Sequence, residues 1–158
     1  ITTLFEYLNR TDRNEAPVNS VRNRDIKSEG ISGDFSYRPI PEVESGFVLN
    51  FSKATDSYPT VPLQADINRI LFRIIYSFTL SGRIRAEVER DNIKLNNPDA
   101  AFPYELTNGR PVGSSILWRI LFDYSISKNL QATFNYDGRS ESNRNVIHTG
   151  RAEIKAFF

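Results

Sequence analysis

The sequence predicts an all-β fold: an antiparallel, up-and-down meander of about eight strands forming a single domain over residues 1–158. Three observations predict it. Apolar side chains recur at every second residue, the period of a strand, and not at the three-and-four spacing of a helix. The alternating segments are rich in Ile, Phe, Tyr and Thr, which suit a pleated surface. The connections between them are alternately short and long, as hairpins stacked side by side require.

The elements follow in order. Residues 2–9 make the weakest strand, with Leu4, Glu6 and Leu8 on one side, Thr3, Phe5 and Tyr7 on the other, and a short helix as its competitor. Residues 31–37 alternate cleanly. Phe47, Leu49 and Phe51 then alternate with Val48, Asn50 and Ser52. Ile70, Phe72, Ile74, Tyr76 and Phe78 oppose Arg69, Leu71, Arg73, Ile75 and Ser77. Ile84, Ala86 and Val88 oppose Arg83, Arg85, Glu87 and Glu89. The clearest stripe is 116–126, with Ile116, Trp118, Ile120, Phe122, Tyr124 and Ile126 against Leu117, Arg119, Leu121, Asp123 and Ser125. Leu130, Ala132, Phe134 and Tyr136 follow, and Gly150, Ala152, Ile154, Ala156 and Phe158 close the chain. Tight links are expected at 80–83 and 127–129, and a compact one at 38–44, where Pro39 and Pro41 stop the ladder. Polar loops are expected over 10–29, 53–66, 91–113 and 138–145.

Bulk composition excludes several classes. Lys+Arg number 20 against 19 Asp+Glu, a balance without the basic excess of a nucleic-acid binder. Without cysteine there is no disulfide framework, thiolate metal site or cysteine nucleophile. Without methionine at position 1 the chain is expected to be a processed or trimmed product. No run approaches the ~18 apolar residues of a membrane helix, but membrane barrels escape that test because half of each strand is polar.

The question is then which face of the stripe meets water. A soluble β-sandwich that binds a ligand or partner buries Trp118 and Phe122 and wets Arg119 and Asp123. A membrane barrel turns the first pair to lipid and the second to a lumen. The charged face carries Arg69, Arg73, Arg85, Glu87, Arg119, Asp123, Asp137, Arg151 and Glu153, with Asp34, Arg83, Glu89, Arg139 and Lys155 beside them. Inside an eight-stranded barrel, whose interior side chains just fill, these groups would pair into an ionic network, because breaking a buried pair costs about 3–5 kcal/mol. In a wider barrel they would line a wet lumen. Tyr37, Tyr76, Phe78, Phe122, Tyr124 and Phe158 fall near the short-turn end, where a membrane barrel carries an aromatic girdle.

The alternation, the loop rhythm, the aromatic apolar faces and the final strand together resemble bacterial outer-membrane β-barrels. The resemblance covers residues 30–158 well and 1–29 poorly. The style of Tyr104-Glu105-Leu106-Thr107 before the tryptophan strand is similar to the C-terminal parts of large Bacteroidota-type surface barrels. It implies a transmembrane barrel in the Gram-negative outer membrane, complete with eight strands or the last strands of a larger one. It implies that Gly150, Ala152, Ile154, Ala156 and Phe158 form the signal read by the barrel-assembly machinery. The expected role is a non-catalytic anchor or surface scaffold, its partners being outer-membrane lipid and an extracellular partner met through the long loops. A porin-like transport role follows if the barrel is wide.

Chemistry-bearing constellations are sparse. His148 stands alone, and Ser140 and Ser142 neighbour it only in sequence, so neither a histidine metal cluster nor a triad is expected. Asp91, Asn92, Asn96, Asn97 and Asp99 are oxygen-rich but lack calcium-loop spacing, and read as a polar loop. Gly82 and Gly109 are turn glycines without a phosphate-loop pattern, and Asn9-Arg10-Thr11 matches a glycosylation sequon. No cofactor and no enzymatic activity are expected.

Overall fold

The computed structural model describes residues 1–15, 23–78, 81–142 and 144–157. Its strands are β1 (Thr2–Asn14), β2 (Arg24–Ile40), β3 (Val43–Asp56), β4 (Leu63–Phe78), β5 (Gly82–Leu95), β6 (Gly113–Ser127), β7 (Leu130–Glu141) and β8 (Ile147–Ala156). They hydrogen-bond in chain order as one antiparallel sheet, so the meander expected from the sequence is the topology observed. Among the described residues, nothing joins β1 to β8, and the sheet is open.

The strands are longer than the hydrophobic pattern suggests. β5 runs through Asp91 and Asn92 to Leu95, and β7 runs to Glu141, into segments expected to be loop. Beyond the apolar band both faces are polar, so the period-two signal disappears while the backbone ladder continues. The segment 16–22 of the first expected loop, Leu80 of the 80–83 link and Phe158 lie outside the described residues. The 38–44 link is tighter than expected. Only Pro41 and Glu42 turn, and Pro39, which has no N–H to donate, sits in an irregularity between Tyr37 and Ile40.

Register settles the ambiguous first strand. Phe5 pairs with Gly33 and Tyr7 with Ile31, so Thr3, Phe5 and Tyr7 join the apolar face. Phe5 meets Phe35 edge-on, their centroids 5.5 Å apart. Leu4, Glu6 and Leu8 take the ionic side, opposite Asp34, Ser32 and Gly30.

Each face is organised in rows that cross the sheet. One apolar row runs Thr3, Phe35, Phe47, Phe72, Val88, Trp118, Gly138, His148. Three rows nearer the long loops, the same face reads Asn9, Glu29, Lys53, Asp66, Lys94, entirely polar. No second sheet among the described residues covers the apolar face: Phe72 is 48% exposed, Val88 49% and Ile120 40%. The two packed layers of the sandwich reading are therefore not what these strands build.

The buried cluster sits on the other face. Ile26, Ala54, Leu63, Ala65, Ile67 and Ile93 form a small apolar patch at the long-loop end of the ionic side. Residues 96–112 fold back over it. Their 3₁₀ segment, Tyr104–Thr107, seats Leu106 at 0% exposure against the patch. Asn108 in the left-handed region and Gly109 at φ 74° make the turn that permits this return.

Candidate functional site

The ionic face is the candidate site. Cross-strand register places Gly46, Arg73, Glu87, Arg119, Asp137 and Thr149 in one row, alternating in charge from β4 to β7. Opposite charges are register partners across these strands, the arrangement that stabilises antiparallel pairs, and Arg119 and Asp137 close one such pair directly.

The expected network resolves into local pairs. Arg73 reaches Asp34 at 3.1 Å, Arg119 reaches Asp137 at 2.6 Å and Arg85 holds Glu87 at 2.5 Å. Arg69 pairs with Glu89. Arg151 and Lys155 flank Glu153 at 3.7 and 3.6 Å. Asp123 takes a hydroxyl instead of an arginine, accepting from Thr133 at 3.0 Å. Asp137 also accepts from Asn135 at 3.0 Å. Pairs toward β8 and the short turns are exposed and contribute little; those toward the loop end are shielded.

The shielded part depends on a residue that sequence reasoning missed. Arg110, carried inward by the Asn108-Gly109 turn, contacts Glu89 at 2.6 Å and also pairs with Asp91, whose side chain is 2% exposed. Burial opposes the Arg110 charge, yet the hydrogen bond it donates to Glu89 and the charge of Asp91 hold its pKa above the usual arginine value. Arg24 adds a contact to Glu105 at 3.0 Å, tying the 3₁₀ segment to β2. The turn-forming dipeptide was visible in the sequence, but not the direction in which the loop would fold.

Two observations describe the space above this face. A hollow of about 370 Å³ lies against Leu71, Glu87, Glu89, Leu117, Arg119 and Asp137. The buried side-chain atoms without a hydrogen bond among the described residues are Arg69 Nε, Arg73 Nε, Asp91 Oδ1, Ser115 Oγ, Asn135 Oδ1 and Glu141 Oε2. All six belong to the ionic face.

The remaining candidates are placed as follows. Gly150, Ala152, Ile154 and Ala156 lie together on the apolar face of β8, opposite Tyr136, Phe134, Ala132 and Leu130. His148 shares that face. Its Nδ1 lies 2.8 Å from the Tyr136 hydroxyl, and the two rings stack. Its ring contacts among the described residues are with Tyr136 and Trp118. Asp91 and Asn92 point to opposite faces of β5, and Asn96 is a structural clasp: its side chain accepts from Gln64 N and donates to Pro62 O, both at 3.0 Å. Among the described residues no cluster of metal-ligating side chains forms. The girdle aromatics make contact in series: Tyr76 with Phe78 at 4.9 Å, Phe78 with Phe122 at 6.2 Å and Phe122 with Tyr124 at 6.0 Å between centroids. Against known proteins, no family model matches this chain, and no curated protein and no solved structure matches it.

Proposed function

We propose that this sheet is wall of an outer-membrane β-barrel, a non-catalytic membrane anchor and surface scaffold, with its apolar face on lipid and its ionic face toward the lumen. The observation that carries this reading is the uncovered apolar band and its common upper limit across the strands. From Ile116 to Tyr124 on β6, or Ile70 to Phe78 on β4, the band runs about 27 Å along the strand at roughly 3.4 Å per residue. At a tilt near ~40° that is about 20 Å upright, and the further row with Ala156 extends it toward the ~25 Å of an outer-membrane barrel. The polar row Asn9, Glu29, Lys53, Asp66, Lys94 and the linked girdle aromatics then fall at opposite interfaces. The unpaired polar atoms on the ionic face suit a water-containing lumen better than a dry core.

We infer further that the barrel has more than eight strands. An eight-stranded interior is filled by its own side chains. Here the ionic face already carries both its charged rows and the inward-folded segment 96–112. A wider ring, completed through the free edges of β1 and β8, has room for both. In that ring the folded segment narrows the outer mouth, which favours an anchor over an open pore. Lipid, the barrel-assembly machinery and an external partner met by the loops remain the expected partners.

Two experiments test these readings. The native protein should fractionate with outer membranes, need detergent and migrate differently on gels before and after heating. A monodisperse, detergent-free protein with native β signal overturns the membrane reading. The chain has no cysteine, so Tyr7→Cys can be combined in turn with Gly150→Cys, Ala152→Cys and Ile154→Cys. An intramolecular disulfide in any pair shows β1 closing on β8 and overturns the wider ring.

A further inference from the structure

The same inward fold of residues 96–112 builds a pocket on its outer side, away from the paired acids. The cavity, about 240 Å³, lies between the folded segment and the end of β7, and its walls include Phe102, Tyr104, Pro111, Arg139, Glu141 and Arg144. We propose that it binds an anionic sugar residue, one bearing a carboxylate.

Three features carry the inference. The first is a pair of exposed aromatic rings. Tyr104 is 72% exposed, and the hydroxyl end of its ring sits against Gly109: a Cβ there would come within 2.1 Å of Tyr104 Cζ. Holding a large apolar ring in water against bare backbone costs burial that the residue obtains nowhere else, and such a ring offers its face to the C–H side of a pyranose. Phe102 stands beside it, itself 36% exposed.

The second is a buried carboxylate that positions two guanidinium groups. Glu141 has a side chain only 6% exposed, with Arg139 Nε and Arg144 Nη1 each 3.0 Å from its oxygens. Both Glu141 oxygens are thus occupied, Oε1 by Arg139 and Oε2 by Arg144, and the carboxylate serves to hold the two guanidinium groups in the pocket wall. Arg110, the third arginine of the wall, is spent on Glu89 and Asp91.

The third is charge. Two arginines against one glutamate leave the pocket with one positive charge in excess, and guanidinium N–H groups fit a carboxylate two at a time. An exposed aromatic ring beside a surplus guanidinium matches a uronic acid better than a free carboxylate or a neutral sugar. The pocket is built by segment 96–112 and the end of β7, away from the apolar band, so it stands whether that band meets lipid or another surface.

The test uses the purified full chain in detergent, with far-UV circular dichroism as the control for folding. Saturation-transfer NMR and calorimetry would compare digalacturonate, the neutral galactose disaccharide and acetate. Digalacturonate should bind tightest, with its ring protons receiving saturation. Tyr104→Ala and Arg144→Ala should each weaken it about tenfold, equivalent to about 1.4 kcal/mol. Tyr104→Phe, which keeps the ring, should bind as the parent does. Acetate binding as tightly as digalacturonate, or no loss in Tyr104→Ala, reduces the pocket to a simple anion contact and overturns the proposal. Equal binding of the neutral disaccharide overturns the anionic assignment, and absence of digalacturonate binding by folded protein overturns the site.

Discussion

Arginine placed at two depths on the apolar face separates a lipid-facing sheet from a water-facing one. Ile120 and Ile116 lie on the same face of the same strand and have nearly identical exposure, 40% and 41%. Any reading in which this face meets water predicts small and similar costs for Ile120→Arg and Ile116→Arg, within about 0.5 kcal/mol each. In a bilayer the two differ. Ile120 sits midway along the band, across from Ala86 and Tyr136, and Ala86 leaves room for a longer side chain. Ile116 lies at its loop-side limit, across from Arg90 and Ser140. Arginine costs about 2–4 kcal/mol at a bilayer midplane and about 0–1 kcal/mol near an interface. Ile120→Arg should thus shift the folding equilibrium by about thirty- to seven-hundred-fold. Repulsion from Arg90 adds up to about 1 kcal/mol at Ile116, which works against the gradient and makes the comparison stricter. The assay is urea titration of protein folded into phospholipid vesicles, followed by the fluorescence of Trp118, the single tryptophan. Equal costs at both positions, or a cost at Ile120 below that at Ile116, refute the lipid-facing assignment.

Other expectations concern the inward loop and the tryptophan row. Arg110→Ala strips Asp91 of its ion partner while Glu89 keeps Arg69, and should cost up to about 3 kcal/mol of loop docking. Adding Asp91→Asn should recover more than half of it, measured as the rate of chymotrypsin cleavage after Tyr104; no recovery would show that the ion pair is not what docks the loop. Leu106→Ala empties a fully buried site, a change that costs about 2–5 kcal/mol in a core, and should expose the same cleavage site after Tyr104 while leaving the urea midpoint of the sheet unchanged. A shifted midpoint with an intact loop would contradict that division. Gly138→Ala would place a Cβ 2.0 Å from Trp118 Cε2, so the indole must leave its seat beside His148 and its emission must shift; unchanged emission would mean the ring does not rest on β7.

Much of the sheet was legible because period-two alternation is a local signal. Strands such as β4 and β6 declare their faces wherever one side is apolar. The first strand did not, since Glu6 interrupts one face and Phe5 and Tyr7 make only a short stripe on the other; its register against Ile31 and Gly33 decided the matter. The charged face was legible as a set of residues but not as a set of pairs. Which arginine meets which carboxylate depends on register across strands far apart in sequence, as with Arg73 and Asp34. Arg110 and Leu106 were illegible for a different reason. A polar loop carries no periodicity, and only the apolar patch formed by β2 to β5 gives Leu106 a place to go.

The sequence by itself determined an all-β meander, its strand order and, in every strand but the first, the division into an apolar and an ionic side, because these follow from alternation and loop length along the chain. Only the tertiary structure decided that the eight strands form one uncovered sheet, that the buried cluster lies on the ionic side, and that residues 96–112 turn inward over it. Those outcomes depend on pairings between distant segments, Leu106 on the patch of β2 to β5 and Arg110 on Glu89 and Asp91, which no local pattern along the chain specifies.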